Sequence, residues 1–317
     1  MKSTGNMTVF SSIRWAASVF AALALLAAAI PPAASHAASL HTTPAFSPIT
    51  GSGIGTSFAL PESVAVDEAN GNIIVPSGHF GGNADDLLYV LGSEGGAPVG
   101  IASPFQIDPG FGIEVGTLAI SAVDNSPTSS SKGALYVPDK VGKRVLKYVR
   151  NSGTEQYELA GELTSTPSLG AVESVAVDDD GNVYVASPVG GGTKFGLITK
   201  FSPTGVQLAR IEMTAATPLP STIAVDADGN LFVGGRMSTS KNFELPVNGA
   251  GEVEASNFVQ IPVPANDPPA GVAVDRASDT LFVAVQNSGE VIEFDASSLT
   301  EKGSFDFPGS SEATRYL

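Results

Sequence analysis

Five aspartates punctuate the chain at a near-constant interval. Asp67, Asp124, Asp178, Asp226 and Asp275 stand 57, 54, 48 and 49 residues apart. Two chemistries suit them. Asp178-Asp179-Asp180-Gly181 and Asp226-Ala227-Asp228-Gly229 begin rather as a calcium-binding loop begins. A loop of the EF-hand kind also needs a bidentate glutamate at its twelfth position, and here those positions are Val189 and Met237. The competing role is a turn. An aspartate at a strand's end accepts hydrogen bonds from N–H groups two residues on, and a following Gly-Asn tolerates positive φ. Five copies of one turn need five such residues, so the sequence assigns all five aspartates as structural turn residues.

Nucleophilic chemistry finds little material. The chain has no cysteine and no Gly-x-Ser-x-Gly elbow, and an activated serine or cysteine needs a positioned base. Of three histidines, His36 lies in the apolar leader and His41 in an N-terminal tail, leaving His79. One histidine cannot build a zinc site of several imidazoles, and His79 reads as a loop residue rather than a general base.

The leader itself has a recognisable form. Lys2 and Arg14 precede an unbroken apolar and small-residue run, Trp15 to Ile30, which Pro31 and Pro32 end. That run is shorter than the ~20 residues a spanning helix needs, and Ser35-His36-Ala37 supplies the small residues a signal peptidase reads. The expectation is a secretory signal over residues 1–37, secretion or another extracytoplasmic location, and no stable membrane span after cleavage. The remaining chain carries 14 basic residues against 32 acidic, a net charge of −18. Such a polyanion repels nucleic acid and anionic lipid, which bind through lysine and arginine. Without disulfides, an exported chain must be held together by its core.

The elements that position these residues repeat with the aspartates. "ESVAVDEANGNIIVPS" from Glu62, "ESVAVDDDGNVYVAS" from Glu173, "STIAVDADGNLFVGG" from Ser221 and "AGVAVDRASDTLFVAV" from Ala270 are copies of one unit, with a looser copy from Ser121. Each reads as a β-hairpin: a short apolar strand, the aspartate turn, then a second strand. A third apolar run follows in most copies, such as Leu87 to Leu91 and Leu197 to Phe201, and a fourth as in Val206 to Ile211. Four antiparallel strands in about 40–50 residues describe a β-propeller blade. No helical periodicity follows residue 38. The fold class expected is all-β, a propeller of four-stranded antiparallel blades with five recognisable blades.

The residues after the leader include no tryptophan, which removes the WD, kelch and Asp-box patterns. The pattern Pro-x-x-Val-Ala-Val-Asp, x-x-Gly-Asn-Val-Tyr-Val-Ala, Val-x-x-Phe-Asp resembles the NHL-repeat family, carried by Pro61 to Val75, Val172 to Ala186, Pro220 to Val233 and Pro269 to Asp295. The organisation expected is a tail over 38–60 with one strand near 47–50, an NHL-type propeller over 61–310 and a short tail over 311–317. The spare strand leaves two readings, a five-bladed ring or an incomplete six-bladed one, and strand arithmetic favours incomplete closure.

The resemblance implies that ligands meet the face formed by loops joining strands two and three and successive blades. His79, Asp85, Asp86, Arg144, Arg236 and Lys241 are the candidate ligand-binding residues there, with Asp139, Lys140, Lys143 and Asn242 beside them. Glu62 and Glu173 lie just before first strands, near the channel mouth. Glycine-rich stretches such as "PSGHFGGNADD" suit recognition more than fixed catalytic geometry. The first reading is a non-catalytic binding or interaction scaffold for a protein, peptide or glycan outside the membrane, with no cofactor. The alternative implied by the resemblance is a metal-dependent hydrolase or lyase of the gluconolactonase type. Its divalent cation would sit in the central channel, with Glu62 or Glu173 as the glutamate ligand.

Overall fold

The structure is a computed structural model that describes residues 63–77, 87–92, 105–106, 121–154, 156–188, 192, 195–215, 217, 219–235, 242–248, 252–264, 269–285 and 288–306. These all fall in the compact unit Ala45–Leu317. They form five four-stranded antiparallel sheets, the blades of a five-bladed β-propeller. Blade one holds β1 (Ala65–Asp67), β2 (Asn72–Ser77), β3 (Leu87–Leu91) and β4 (Phe105–Gln106). Blade two holds β5 (Ala122–Val123), β6 (Leu135–Asp139), β7 (Arg144–Arg150) and β8 (Tyr157–Leu163). Blade three holds β9 (Ser174–Val177), β10 (Val183–Ser187), β11 (Leu197–Phe201) and β12 (Gln207–Glu212). Blade four holds β13 (Pro220–Val225), β14 (Leu231–Gly235), β15 (Phe243–Leu245) and β16 (Val259–Gln260). Blade five holds β17 (Pro269–Asp275), β18 (Thr280–Val285), β19 (Glu290–Asp295) and β20 (Glu301–Asp306). The strand expected near 47–50, on which the six-bladed reading rested, lies outside the described residues. The helical content among them is a 3₁₀ turn at Ala255–Asn257. No helix there is long and apolar enough to cross a membrane.

Alternation along each strand sends one set of side chains to each neighbouring blade. Val175, Val177, Val183 and Val185 of blade three pack against Ala134, Tyr136 and Val145 of blade two. Their alternates Ala176, Tyr184, Ala186 and Ile198 pack against Ile223, Leu231 and Val233 of blade four. Phe232 and Ala224 then meet Val272, Val283 and Phe294 of blade five. This explains the unbroken apolar strands: β10 is buried at every position because both its faces are covered. The outer β12 is exposed at three of its six positions and β20 at four of six. Each blade therefore draws its stability from its neighbours, as in other repeat arrays.

The aspartate turns repeat in atomic detail. Oδ1 of Asp67, Asp124, Asp178, Asp226 and Asp275 accepts from the N–H two residues on, at 3.0, 3.0, 3.1, 3.0 and 3.0 Å. Asp226 also accepts from the Asn230 backbone N–H at 2.8 Å and from Asn230 Nδ2 at 2.7 Å. Asp226→Ala and Asp178→Ala are each expected to lower stability by about 0.5–2 kcal/mol, the scale of losing hydrogen bonds at a turn. Urea denaturation measures this, and loss of a bound ion on substitution with unchanged stability would contradict it.

Two sets of bonds staple blades together at their inner strands. At one end a hydroxyl four residues before the aspartate accepts from the next blade. Ser121 N–H donates to Ser63 Oγ at 3.3 Å, and Ile223 N–H donates to Ser174 Oγ at 3.2 Å. At the other end the residue after the aspartate reaches back. Asn125 Nδ2 donates to Val66 O at 2.9 Å, and Arg276 Nε donates to Val225 O at 3.0 Å. Arg276 extends further, with one terminal nitrogen 2.7 Å from Asp179 Oδ1 and the other donating to Val177 O. One guanidinium thus ties the inner-strand ends of blades three, four and five at the turn end of the channel.

Candidate functional site

At the opposite end of the channel lie the loops between second and third strands. The β6–β7 loop is the best defined of these. Asp139, 1% exposed, ends β6 and accepts from Gly142 N–H at 2.7 Å and from Arg144 Nε at 2.7 Å. A Cβ on Gly142 would overlap the Asp139 carboxylate, so the loop can wrap this group only with glycine there. Arg144 opens β7 and also donates to Glu162 Oε2 at 2.6 Å. Burial alone would lower the Arg144 pKa; the hydrogen bonds to Asp139 and Glu162 together outweigh it and raise the pKa above the usual arginine value. This arginine is a fixed cation clamped between two strands.

Lys140, the residue after Asp139, leaves its own blade. Its Nζ lies 2.6 Å from Oε1 of Glu173, which is 1% exposed and stands one residue before β9. Lys140 keeps a quarter of its side chain exposed. Adjacent residues of one loop therefore hold Arg144 within blade two and Glu173 across the junction with blade three. The seam between these blades is closed by charge at the loop face and by apolar packing beneath it.

Of the candidate ligand and metal residues read from the sequence, Arg144 and Glu173 are described, as are Asp139, Lys140, Lys143 and Asn242 beside them, and Arg144 and Glu173 belong to separate ion-paired groups. His79, Asp85, Asp86, Arg236, Lys241 and Glu62 lie outside the described residues. Among the described residues, no three His, Cys, Asp or Glu side chains converge as a metal site requires. Sequence reasoning missed Arg276, although a signal was present. The residues following the five aspartates are Glu68, Asn125, Asp179, Ala227 and Arg276, of which one is a cation.

Electrostatics at the turn end differ from blade to blade. In blades two and three the third strand places a lysine over a tyrosine of the second strand. Lys147 Nζ sits 5.6 Å from the Tyr136 ring centre, and Lys200 Nζ sits 4.8 Å from that of Tyr184. Lys200 also approaches Asp178 Oδ2 at 3.6 Å, and Tyr184 OH donates to that oxygen at 3.2 Å. Burial, with the Asp178 charge beside it, pushes the Tyr184 phenol well up. Blade four replaces the pair with Phe232 and Glu244. Glu244 is 9% exposed, and burial followed by the Asp226 charge raises its pKa.

A carboxyl whose folded pKa is raised prefers the protonated form in the folded state. Its penalty is absent below the unfolded pKa and grows as pH rises through the folded one. Glu244→Gln is therefore expected to raise Tm at pH 7 and to change it little at low pH. Melting curves at both pH values check this, and a lower Tm at pH 7 would overturn it.

A shallow cleft of about 530 Å³ runs between Tyr184, Lys200 and Leu208–Glu212 of blade three and Glu252–Ser256 of blade four. It carries both signs of charge and lies away from the loop-face ion pairs.

No known protein family matches the chain in sequence, and no curated protein matches it. Solved structures do match in fold. A gluconolactonase from Xanthomonas campestris superposes with a TM-score of 0.54 at 14% identity, covering 79% of this chain and 77% of its own. A chain of the nidogen/laminin complex superposes with a TM-score of 0.55 at 14% identity, covering 81% of this chain and 86% of its own. At that identity the likeness is one of fold. This chain has the architecture of a β-propeller of the broad type to which the NHL-like sequence pattern pointed.

Proposed function

We propose that this protein is exported and acts as a non-catalytic binding scaffold, presenting the loop face of its propeller to a protein, peptide or glycan. One observation carries this reading. Oε1 of Glu173, read from the sequence as a candidate cation ligand, is ion-paired with the Lys140 ammonium at 2.6 Å. Ion pairs that fix Lys140, Arg144 and Glu173 make a stiff rim, and a stiff rim loses little conformational freedom on binding. The likeness to a chain of the nidogen/laminin complex supports protein as the partner class. The absence of tryptophan after the leader disfavours a platform for sugar stacking.

The gluconolactonase likeness supports the second reading, a metal-dependent hydrolase or lyase, through fold alone. Metal analysis of the exported protein, together with a sugar-lactone hydrolysis assay, separates the two. The scaffold reading expects substoichiometric divalent metal and no hydrolysis. One bound divalent ion with lactone turnover would replace it with the hydrolase reading. Export has its own check, because Trp15 is the sole tryptophan. Material recovered outside the cytoplasm should show tyrosine-like fluorescence, and tryptophan emission would mean the leader is retained.

A further inference from the structure

A sheet edge that exposes apolar residues invites a further strand, and folded proteins normally blunt such edges. Among the five outer strands, β4 and β16 are blunted by length, at two residues each. β20 carries Lys302, whose ammonium turns back to Asp279 O and Thr280 Oγ1. β8 and β12 are longer, at seven and six residues, and each exposes a leucine, Leu159 and Leu208. β12 pairs with β11 on one edge and with no described strand on the other. It also lines a cleft.

That cleft, of about 530 Å³, has β12 as one wall and Glu252–Ser256 of blade four as the other. Lys200 pairs with Ala209 and Phe201 with Gln207, so Leu208 is the extra residue of a bulge. Bulges bend a strand and re-aim a side chain, and Leu208 lies in the lining of the cleft. On the facing wall, Val253 bridges to Val247 and packs on the core shared by blades three and four. Buried Tyr184, Ile211 and Ala255 supply an apolar floor.

Charge in the cleft is unevenly placed. Lys200 sits over the Tyr184 ring and 3.6 Å from Asp178 Oδ2. Arg210 donates to Pro167 O at 3.3 Å and lies 3.6 Å from Glu212 Oε1. The two cationic side chains are 22% and 14% exposed, whereas that of Glu212 is 64% exposed. Glu252 and Glu254 are exposed on the facing wall. Three carboxylates therefore stand at the rim, with the cations drawn in beneath them. A second copy of this chain, with a formal net charge of −16, is a poor match for that rim. We propose that β12 is a docking edge for an extended peptide segment of a partner, alternating basic and apolar residues, which adds to blade three as a fifth strand. Its backbone pairs with the outer edge of β12, which gives affinity, and its alternate side chains give specificity. The apolar ones meet Leu208 and the basic ones meet Glu212, Glu252 and Glu254. This surface is separate from the loop face and does not depend on the scaffold role given to that face.

A labelled hexapeptide of alternating lysine and valine, blocked at both ends, is the probe. Fluorescence anisotropy should show saturable binding to the purified protein, and amide hydrogen exchange should slow at Leu208–Glu212 when the peptide is added. Glu212→Gln, Glu252→Gln and Glu254→Gln together should weaken binding about tenfold, the scale of three exposed ion pairs. Glu68→Gln, Glu158→Gln and Glu301→Gln remove the same charge away from the cleft, two of them on β8 and β20, and should leave affinity unchanged. Equal losses in the two triple variants would mean general attraction to an acidic surface and would overturn the proposal. No binding, or binding without slowed exchange in β12, would overturn it too. Exchange in β12 that slows with protein concentration alone would put a second copy on this edge, and the peptide assignment would fall.

Discussion

Lys140→Met is expected to destabilise the protein by about 2–4 kcal/mol, because it removes the ammonium from a carboxylate that is 1% exposed. Removing one partner of a buried ion pair typically costs about 3–5 kcal/mol. The lower range applies here because Lys140 is a quarter exposed and its partner is 1% exposed. In a domain of this size that corresponds to roughly 5–15 °C in Tm. The reverse change, Glu173→Leu, should cost less, since the released ammonium can turn toward solvent. Lys140→Met combined with Glu173→Leu should recover much of the loss, because apolar replacement of a buried pair is often close to neutral. Thermal melts of the three variants give the order directly. An unchanged Tm in Lys140→Met would show that the Lys140 contact does not hold the Glu173 carboxylate in place. That outcome would also withdraw the main support for the scaffold reading.

The strands were legible in the sequence because their pattern is local. Val175-Ala176-Val177 and Val183-Tyr184-Val185 flank a turn whose aspartate binds N–H groups two and four residues on, so one short window contains both cause and effect. Leu197–Phe201 was visible for the same reason. The 3₁₀ turn at Ala255–Asn257 was not, having neither apolar period nor side-chain cap. Strand alternation identified which positions are covered, but the neighbour covering each was fixed by the ring.

The site was less legible because its partners are remote in sequence. Lys140 and Glu173 are 33 residues apart, and both were recognised as loop-face charges without being recognised as a pair. Glu173 as a bare residue before a strand suits a cation; beside an ammonium it suits a closed seam. Asn242 read as one more polar loop residue. Its enclosure follows from Gly234 and Thr222, whose approach depends on register across three strands. Chemistry set by a turn was readable from residue types, whereas chemistry set between blades required the fold.

Arg276→Ala should produce the largest loss at the turn end, about 2–4 kcal/mol, by unfastening three blades at once. The Asp179 ion pair contributes little of this. Its two side chains are 54% and 28% exposed, and exposed pairs are worth about 0–1 kcal/mol. The weight falls on the charge-assisted bonds to Val225 O and Val177 O, carbonyls at the ends of two inner strands. Asp179→Ala should therefore lower stability by less than about 1 kcal/mol. Arg276→Lys should recover only part of the loss, because an ammonium offers no planar fork to span two strands. Added salt should weaken the Asp179 contribution and leave the carbonyl bonds nearly unchanged, since screening acts on exposed charges. The expected order of stability is wild type, Asp179→Ala, Arg276→Lys, then Arg276→Ala, read from urea midpoints at low and high salt. If Asp179→Ala proves as damaging as Arg276→Ala, the arginine acts as a surface charge partner, and its bonds to the Val225 and Val177 carbonyls do not fasten the blades at the turn end.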